Sequence, residues 1–153
     1  MDHLNEDEWT PKDVGEEMIR AAKWAFRSGG RAGPAGYGSG MPQMMMTHMD
    51  RIAEQWPLLD NQDEAPKRRF YAPDEISRME RILFWQTDYL QESPIVAVAL
   101  NIWIFCKVKR GARYGSVIDK MGSSRATAYR QRGRALALIS VGLTRDGIKR
   151  GAH

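Results

Sequence analysis

Residues Gly111–Ser140 read GARYGSVIDKMGSSRATAYRQRGRALALIS. Their pattern predicts a short helix over Tyr114–Met121, a turn at Gly122–Ser123 and a longer helix beyond the turn. Gly122 can adopt the positive φ that ends a helix at little steric cost. Ser124 suits the N-cap of the second helix, because its hydroxyl can accept a hydrogen bond from a backbone amide. Two helices joined by a short turn containing glycine indicate a helix-turn-helix.

The longer helix, which starts at Arg125, is predicted to have two chemically different sides. At about 100° per residue, small and apolar side chains share one side, where they can pack on the preceding helices. This packed side is expected to hold Ala128, Ala135, Leu136 and Ile139. The opposite side combines a methyl, a hydroxyl and guanidinium groups, which suits base edges in a DNA major groove. The predicted base-reading residues are Arg125, Ala126, Thr127, Arg130 and Arg134.

Two neighbouring residues of this helix do not fit the two-sided pattern. Arg132 falls on the packed side, so its long side chain must extend out of that side to reach solvent. Gly133 weakens the helix interior by about 1 kcal/mol relative to alanine. A close approach of another group or a kink would explain the glycine. The alternative to a DNA-binding helix is an ordinary basic surface helix in a helical bundle.

Charge is distributed unevenly along the chain. The 153 residues carry a net charge of +4. Residues 1–92 contain 11 Lys and Arg against 17 Asp and Glu, whereas residues 93–153 contain 12 against 2. The basic segment therefore gains from displacing counterions on a polyanion, and the acidic one is expected to face away from it or toward another protein. The predicted phosphate contacts are Lys109, Arg110, Arg113, Lys120, Ser123 and Ser124.

The rest of the chain is predicted to be helical, which gives an all-α fold. A helix is expected to begin at Pro11, with Thr10 as its N-cap, Asp13 completing a variant capping box and Trp9 packing on Val14. This helix is expected to end near Ser28. Further helices are expected over Pro42–Trp56, Pro73–Gln91 and Ile95–Lys107, the last apolar nearly all round and therefore buried. The predicted organisation is a flexible terminus (1–8), an N-terminal helical module (9–58), a linker (59–72), a helix-turn-helix domain (73–140) and a basic tail (141–153) that follows a helix stop at Gly142.

Other motifs do not support catalysis or a cofactor. The glycine-rich segment 29–42 lacks a preceding strand and a following Gly-Lys-Ser/Thr, as a nucleotide-binding loop would require. His48 lies among methionines without a cysteine cluster, so core or subunit packing is favoured over a metal site. Cys106 lies in an apolar helix, where an inert thiol is expected. We therefore expect no enzyme activity, no cofactor and no metal.

Composition also bears on location. A single cysteine excludes an internal disulfide, and no secretion signal is evident, which suits a reducing cytoplasm. The longest charge-free apolar run, Ser93–Cys106, is too short to span a bilayer. We expect no membrane partner.

The region from about Tyr89 to Ile139 resembles the C-terminal DNA-binding region of sigma factors. The likeness is carried by the helix Pro94–Lys107, the short helix Tyr114–Met121, Gly122 and the Ser124-Arg125-Ala126-Thr127 start of the long helix. It is most similar to the form found in small phage-encoded transcription regulators. The front half is similar to an uncharacterised phage-associated family of alphaproteobacteria, through its Trp9-Thr10-Pro11 start and its Gly36-Tyr37-Gly38-Ser39 loop.

This resemblance implies promoter or operator binding with contact to RNA polymerase. The leading hypothesis is therefore a sequence-specific double-stranded DNA-binding regulator, with a homodimer through the N-terminal helices as a further expectation. The alternative is the small DNA-recognition subunit of a phage packaging terminase, which also needs a helix-turn-helix and an oligomerising helical part. Composition does not separate the two.

Overall fold

The computed structural model describes residues 8–28, 41–55, 71–109 and 111–150. This part of the chain is helical and contains no strand, which confirms the predicted all-α fold. The six helices are α1 (Pro11–Ser28), α2 (Gln43–Gln55), α3 (Pro73–Tyr89), α4 (Pro94–Val108), α5 (Tyr114–Lys120) and α6 (Arg125–Arg145).

Helix α4 is the centre of the core. Its sequence is apolar nearly all round, and the structure buries most of it, as predicted. Helices α1, α2, α5 and α6 all pack against it, and α6 makes the most extensive contact. The position of α4 therefore decides which side of α6 is enclosed.

The start of α1 has the predicted cap. The backbone N–H of Asp13 donates to Thr10 Oγ1 at 3.2 Å, and the N–H of Thr10 donates to Asp13 Oδ2 at 3.3 Å. Trp9 is buried, and its indole Nε1 donates to the carbonyl oxygen of Ile148 at 2.9 Å. The two ends of the described chain therefore lie together.

Helix α2 carries its methionines into the core. Met41, Met45, Met49 and Ile52 are buried, which agrees with the expected packing of this face. Trp56 and most of the predicted linker 59–72 lie outside the described residues, as does the Gly-rich loop 29–40. One hydrophobic cluster contains residues from all six helices. The predicted division between modules stays a prediction, and the helices on its two sides share that core.

The predicted helix stop at Gly142 is wrong. Helix α6 continues to Arg145, and the residue with positive φ that ends it is Gly147, at +72°. Gly142 is buried inside the helix, and a Cβ added there would lie 2.3 Å from Cδ1 of Tyr89. The glycine therefore permits close packing of an aromatic ring instead of ending the helix. The Tyr89 hydroxyl donates to Asp146 Oδ2 at 2.7 Å and fixes the ring there.

The predicted basic tail is attached to the body through residue 150. Arg150 Nη1 lies 2.7 Å from Asp13 Oδ2 at the start of α1, and the carbonyl of Ile148 accepts from Trp9. These contacts join residues that are 137 and 139 positions apart in the sequence, so no local sequence pattern predicts them.

The core also holds a polar cluster that the sequence did not reveal. Gln86 and Asn101 are fully buried and exchange two amide hydrogen bonds, of 2.7 Å and 2.8 Å. The Nδ2 amide of Asn101 also lies 2.7 Å from His48 Nδ1, which accepts when the imidazole is neutral. Burial, with a smaller contribution from Arg51, lowers the pKa of His48 and favours that neutral form. The cluster joins α2, α3 and α4.

Candidate nucleic-acid interface

Helices α5 and α6 are joined by the predicted tight turn. Gly122 has φ of +77°, and its N–H donates to the carbonyl of Asp119 at 3.0 Å. The N–H of Ser123 donates to the carbonyl of Ile118 at 3.1 Å, which completes a Schellman ending for α5. Ser124 accepts from the N–H of Thr127 at 3.4 Å, as its predicted role as N-cap requires. The predicted turn and N-cap are confirmed, and α5 ends one residue earlier than expected.

The inner sides of both helices are fixed by the core. Val117 and Ile118 of α5 are buried. The Tyr114 hydroxyl lies 3.2 Å from the carbonyl oxygens of both Ala99 and Ala128, which joins α4, α5 and α6 at one point. The packed side of α6 is confirmed, since its four predicted residues are all buried, namely Ala128, Ala135, Leu136 and Ile139.

The opposite side of α6 is open. Ala126, Arg130 and Arg134 are exposed, and Thr127 is partly exposed. Arg130 Nη2 donates to Thr127 Oγ1 at 3.2 Å, one turn back along the helix. Within the described part of the chain, neither Arg130 nor Arg134 forms an ion pair with a carboxylate. Four of the five predicted base-reading residues thus share one side of α6 that faces solvent.

The fifth, Arg125, is engaged within the protein. Its Nε donates to Asp119 Oδ1 at 3.1 Å and its Nη2 to Oδ2 at 2.5 Å, a two-pronged ion pair across the turn. The guanidinium also lies over Gly115, where an added Cβ would come within 2.8 Å of Arg125 Cζ. The hydrogen bond from Arg125 lowers the pKa of Asp119. This arginine links α5 to α6, a role that the sequence did not indicate.

The predicted phosphate contacts lie before and after α5. Arg113, Lys120, Ser123 and Ser124 are exposed, whereas Lys109 is partly buried and holds its ammonium 5.5 Å from the ring centroid of Phe26. Arg110 lies outside the described residues. The hydroxyl of Ser124 accepts from a backbone amide, so its own proton remains available to a phosphate oxygen.

An aromatic cluster beside the turn was missed by the sequence reading. Tyr114 and Tyr129 meet edge to face, with ring centroids 5.1 Å apart. Burial raises the pKa of Tyr114 to about 12, so its hydroxyl stays protonated as a donor. The guanidinium of Arg132 lies against these rings and against Trp103. Three aromatic residues at separate places in the sequence give no periodic signal, so only the folded chain brings them together.

A cavity lies between α1 and α3. Its volume is about 220 Å³, and its lining includes Glu17, Trp24 and Arg78. Glu17 Oε1 accepts from Arg78 Nη2 at 3.0 Å and lies 3.3 Å from Arg20 Nη2. Oε1 of Glu17 therefore has two arginine partners, whereas its Oε2 is buried without a hydrogen-bond partner among the described residues.

Other chemistry has little support in the described residues. No group of three or more His, Cys, Asp or Glu side chains there is placed to hold a metal ion. Burial raises the pKa of the Cys106 thiol to about 12, which keeps it unreactive at neutral pH. Among the helices that the structure describes, none combines the length and apolarity needed to cross a membrane.

The chain matches no protein-family model, no curated protein and no solved structure at a significant level. What distinguishes α5 and α6 is therefore their own geometry. They form a fixed two-helix unit with an enclosed side, an open arginine-bearing side and further basic residues at the adjoining loop and turn.

Proposed function

We propose that this protein is a sequence-specific double-stranded DNA-binding protein that uses α6 as its recognition helix. The observation that carries the proposal is the state of Arg130 and Arg134. Both are exposed on the side of α6 opposite the core, and neither is neutralised by a carboxylate in the described residues. A guanidinium kept free on a rigid helix can form the paired hydrogen bonds to guanine that give base discrimination.

The neighbours of these arginines suit the same groove. Thr127 accepts a hydrogen bond from Arg130 and so orients its guanidinium before any duplex is present. Ala126 offers a methyl group one turn before Arg130, of the kind that contacts the methyl group of thymine. The base-reading role is thus assigned to Ala126, Thr127, Arg130 and Arg134, while Arg125 forms an ion pair with Asp119 of α5.

Phosphate contacts supply the remaining affinity in this proposal. The exposed groups Arg113, Ser123 and Ser124 flank α5, where they can set the register of α6 on the duplex. The large positive charge of residues 93–153 favours a polyanion, and the negative charge of residues 1–92 disfavours contact of the front half with it. These opposite charges of the two segments favour DNA binding at the end of the molecule that carries α5 and α6.

The biological setting that we propose is transcriptional regulation. The likeness of residues 89–139 to the sigma-factor DNA-binding region supports a regulator that also contacts RNA polymerase, and the acidic front half supplies a surface for a protein partner or a second copy. We propose a binding protein and no enzyme. Measurement of the mass in solution separates a regulator from a terminase subunit. A monomer or dimer supports regulation, and a large ring supports packaging.

Selection from a random duplex pool tests the proposal, and Arg130→Ala tests the base-reading role. On the selected duplex the variant is expected to lose about 1–3 kcal/mol of binding free energy and to tolerate base changes at one position. Arg113→Ala should instead weaken selected and random duplexes by the same factor. Arg145→Ala is the matched control, because Arg145 lies at the far end of α6 and pairs with Asp146.

Two results would contradict the proposal. Equal losses on selected and random duplexes for Arg130→Ala would remove the base-reading role. A wild-type chain that enriches no duplex, even at low salt, would remove DNA binding altogether.

A further inference from the structure

Arg132, one of the two residues that do not fit the two-sided pattern of α6, lies among aromatic rings. Its guanidinium carbon lies 5.1 Å from the ring centroid of Trp103, 5.3 Å from that of Tyr129 and 5.9 Å from that of Tyr114. Trp103 comes from α4 and Tyr114 from α5, while Tyr129 precedes Arg132 by less than one turn of α6. The side chain therefore occupies the seam where these three helices meet.

The charge of Arg132 has no counter-charge in this seam. A second cation, the ammonium of Lys107, lies 6.0 Å from the same Trp103 ring. Neither cation forms an ion pair within residues that the structure describes. Aromatic faces attract a cation through their quadrupole, but they carry no net charge. Two positive charges therefore share one aromatic surface, and no carboxylate of the described residues pairs with either.

The rings fix the orientation of the guanidinium. Nε of Arg132 is buried without a hydrogen-bond acceptor among the described residues, while the residue as a whole is only partly buried. The donors left to a ligand are therefore those at the outer end of the planar group. A planar fork of N–H donors matches the oxygens of a phosphate, and an arginine held in place loses less entropy when it binds one.

The position of the seam excludes base reading by Arg132. Arg132 is about 200° around α6 from Arg130, so it does not share the side that would face base edges. It does lie beside Tyr114, the first residue of α5, to which the basic stretch 107–113 leads. An anion bound there would lie beside the first residue of α5, on the opposite side of α6 from the base-reading residues.

We propose that Arg132, held by Trp103, Tyr114 and Tyr129, binds a phosphate of the duplex on which α6 reads its site. Lys107 adds to the positive field of this aromatic–cation seam. The inference rests on the proposed DNA-binding function and extends it, because it assigns a phosphate contact to a residue on the opposite side of α6 from the base-reading group.

The test compares Arg132→Gln with Arg145→Gln in the full-length chain. Arg145 also lies over an aromatic ring, at 6.0 Å from the Tyr89 centroid, but it pairs with Asp146. Affinity for a fluorescent selected duplex and for a random duplex is measured over a range of salt concentrations. Removal of one phosphate contact lowers the slope of log K against log salt by about 1.

For Arg132→Gln we expect that reduced slope and an equal loss of affinity on both duplexes. For Arg145→Gln we expect the wild-type slope. A wild-type slope for Arg132→Gln would overturn the inference, and so would a loss confined to the selected duplex. If the wild-type chain binds no duplex, the proposed function fails as well, whereas selective wild-type binding with an unchanged Arg132→Gln slope defeats the inference alone.

A second measurement needs no variant and so does not depend on the folding of Arg132→Gln. In nuclear magnetic resonance spectra of the wild-type chain, the side-chain N–H signals of Arg132 should shift on addition of duplex, while those of Arg145 should not. Unchanged Arg132 signals at saturating duplex would overturn the inference. Signals that shift only with an acidic peptide would assign the seam to a protein partner and also overturn it.

Discussion

The two halves of α6 differ in sequence and in surroundings: residues 125–134 contain four arginines, whereas residues 135–145 are mostly apolar and contain one. The first half, Arg125–Arg134, has an open side with Arg130 and Arg134 unpaired in the described residues. The second half, Ala135–Arg145, is enclosed by the end of α3 and followed by a segment tied to α1. Arginines near this second half have carboxylate partners, as in Arg145 with Asp146 and Arg150 with Asp13. An arginine that pairs with a carboxylate holds the fold together, whereas an arginine without such a partner remains available to a ligand.

The two glycines of α6 give the largest expected contrast. Gly142→Ala places a methyl group where the Tyr89 ring lies, 2.3 Å from Cδ1, and is expected to lower the free energy of unfolding by about 1–3 kcal/mol. Urea denaturation measures the loss. The rearrangement should also weaken the hydrogen bond from Tyr89 to Asp146. Unchanged stability would mean that the second half of α6 is packed less tightly than the structure indicates.

Gly133→Ala is the matched change in the first half and should have the opposite sign. An added Cβ at Gly133 meets no atom within 4 Å among the described residues, so neither the expected close approach nor a clash occurs within that part of the chain. The alanine should raise the free energy of unfolding by about 0.5–1 kcal/mol through helix propensity. A loss of stability in the same urea titration would contradict an open first half.

The N-cap of α6 gives a smaller effect. Ser124→Ala removes the acceptor for the Thr127 amide and should cost about 0.5–1 kcal/mol of stability, at the lower end for caps because the bond is 3.4 Å long. Ser123→Ala is the control, since the Ser123 side chain makes no hydrogen bond within the described residues. Thermal melts of the two variants would show the difference. Equal melting temperatures would rule out the cap as a determinant of the first turn.

The smallest expected effect is an acid-dependent one in the second half. The Tyr89 hydroxyl, followed by Arg145, lowers the pKa of Asp146 in the folded chain. A carboxyl with a lowered folded pKa stabilises the fold above its unfolded pKa of about 3.9, and that stability is lost as the pH falls. Asp146→Asn should therefore flatten stability against pH below about 4. Tyr89→Phe should reproduce the change, and a wild-type profile for both would contradict it.

Much of the fold was predictable because its signals are local. The Thr10–Asp13 cap, the apolar sequence of α4 and the turn from Gly122 to Ser124 all depend on residues within one or two turns of each other. The packed side of α6 followed from helical periodicity alone, and burial of its four predicted residues confirms it. The helices, their approximate ends and the side of α6 that meets the core were therefore set by the sequence itself.

Only the tertiary structure decided which groups meet. The Tyr89 ring of α3 packs against Gly142, which the sequence alone marks as a helix stop, and Asp119 pairs across the turn with Arg125, a predicted base reader. The same holds for Arg132, whose rings come from three helices. Periodicity tells which way a side chain points along its own helix. It does not tell what another helix brings to that place, because that depends on how the whole core packs.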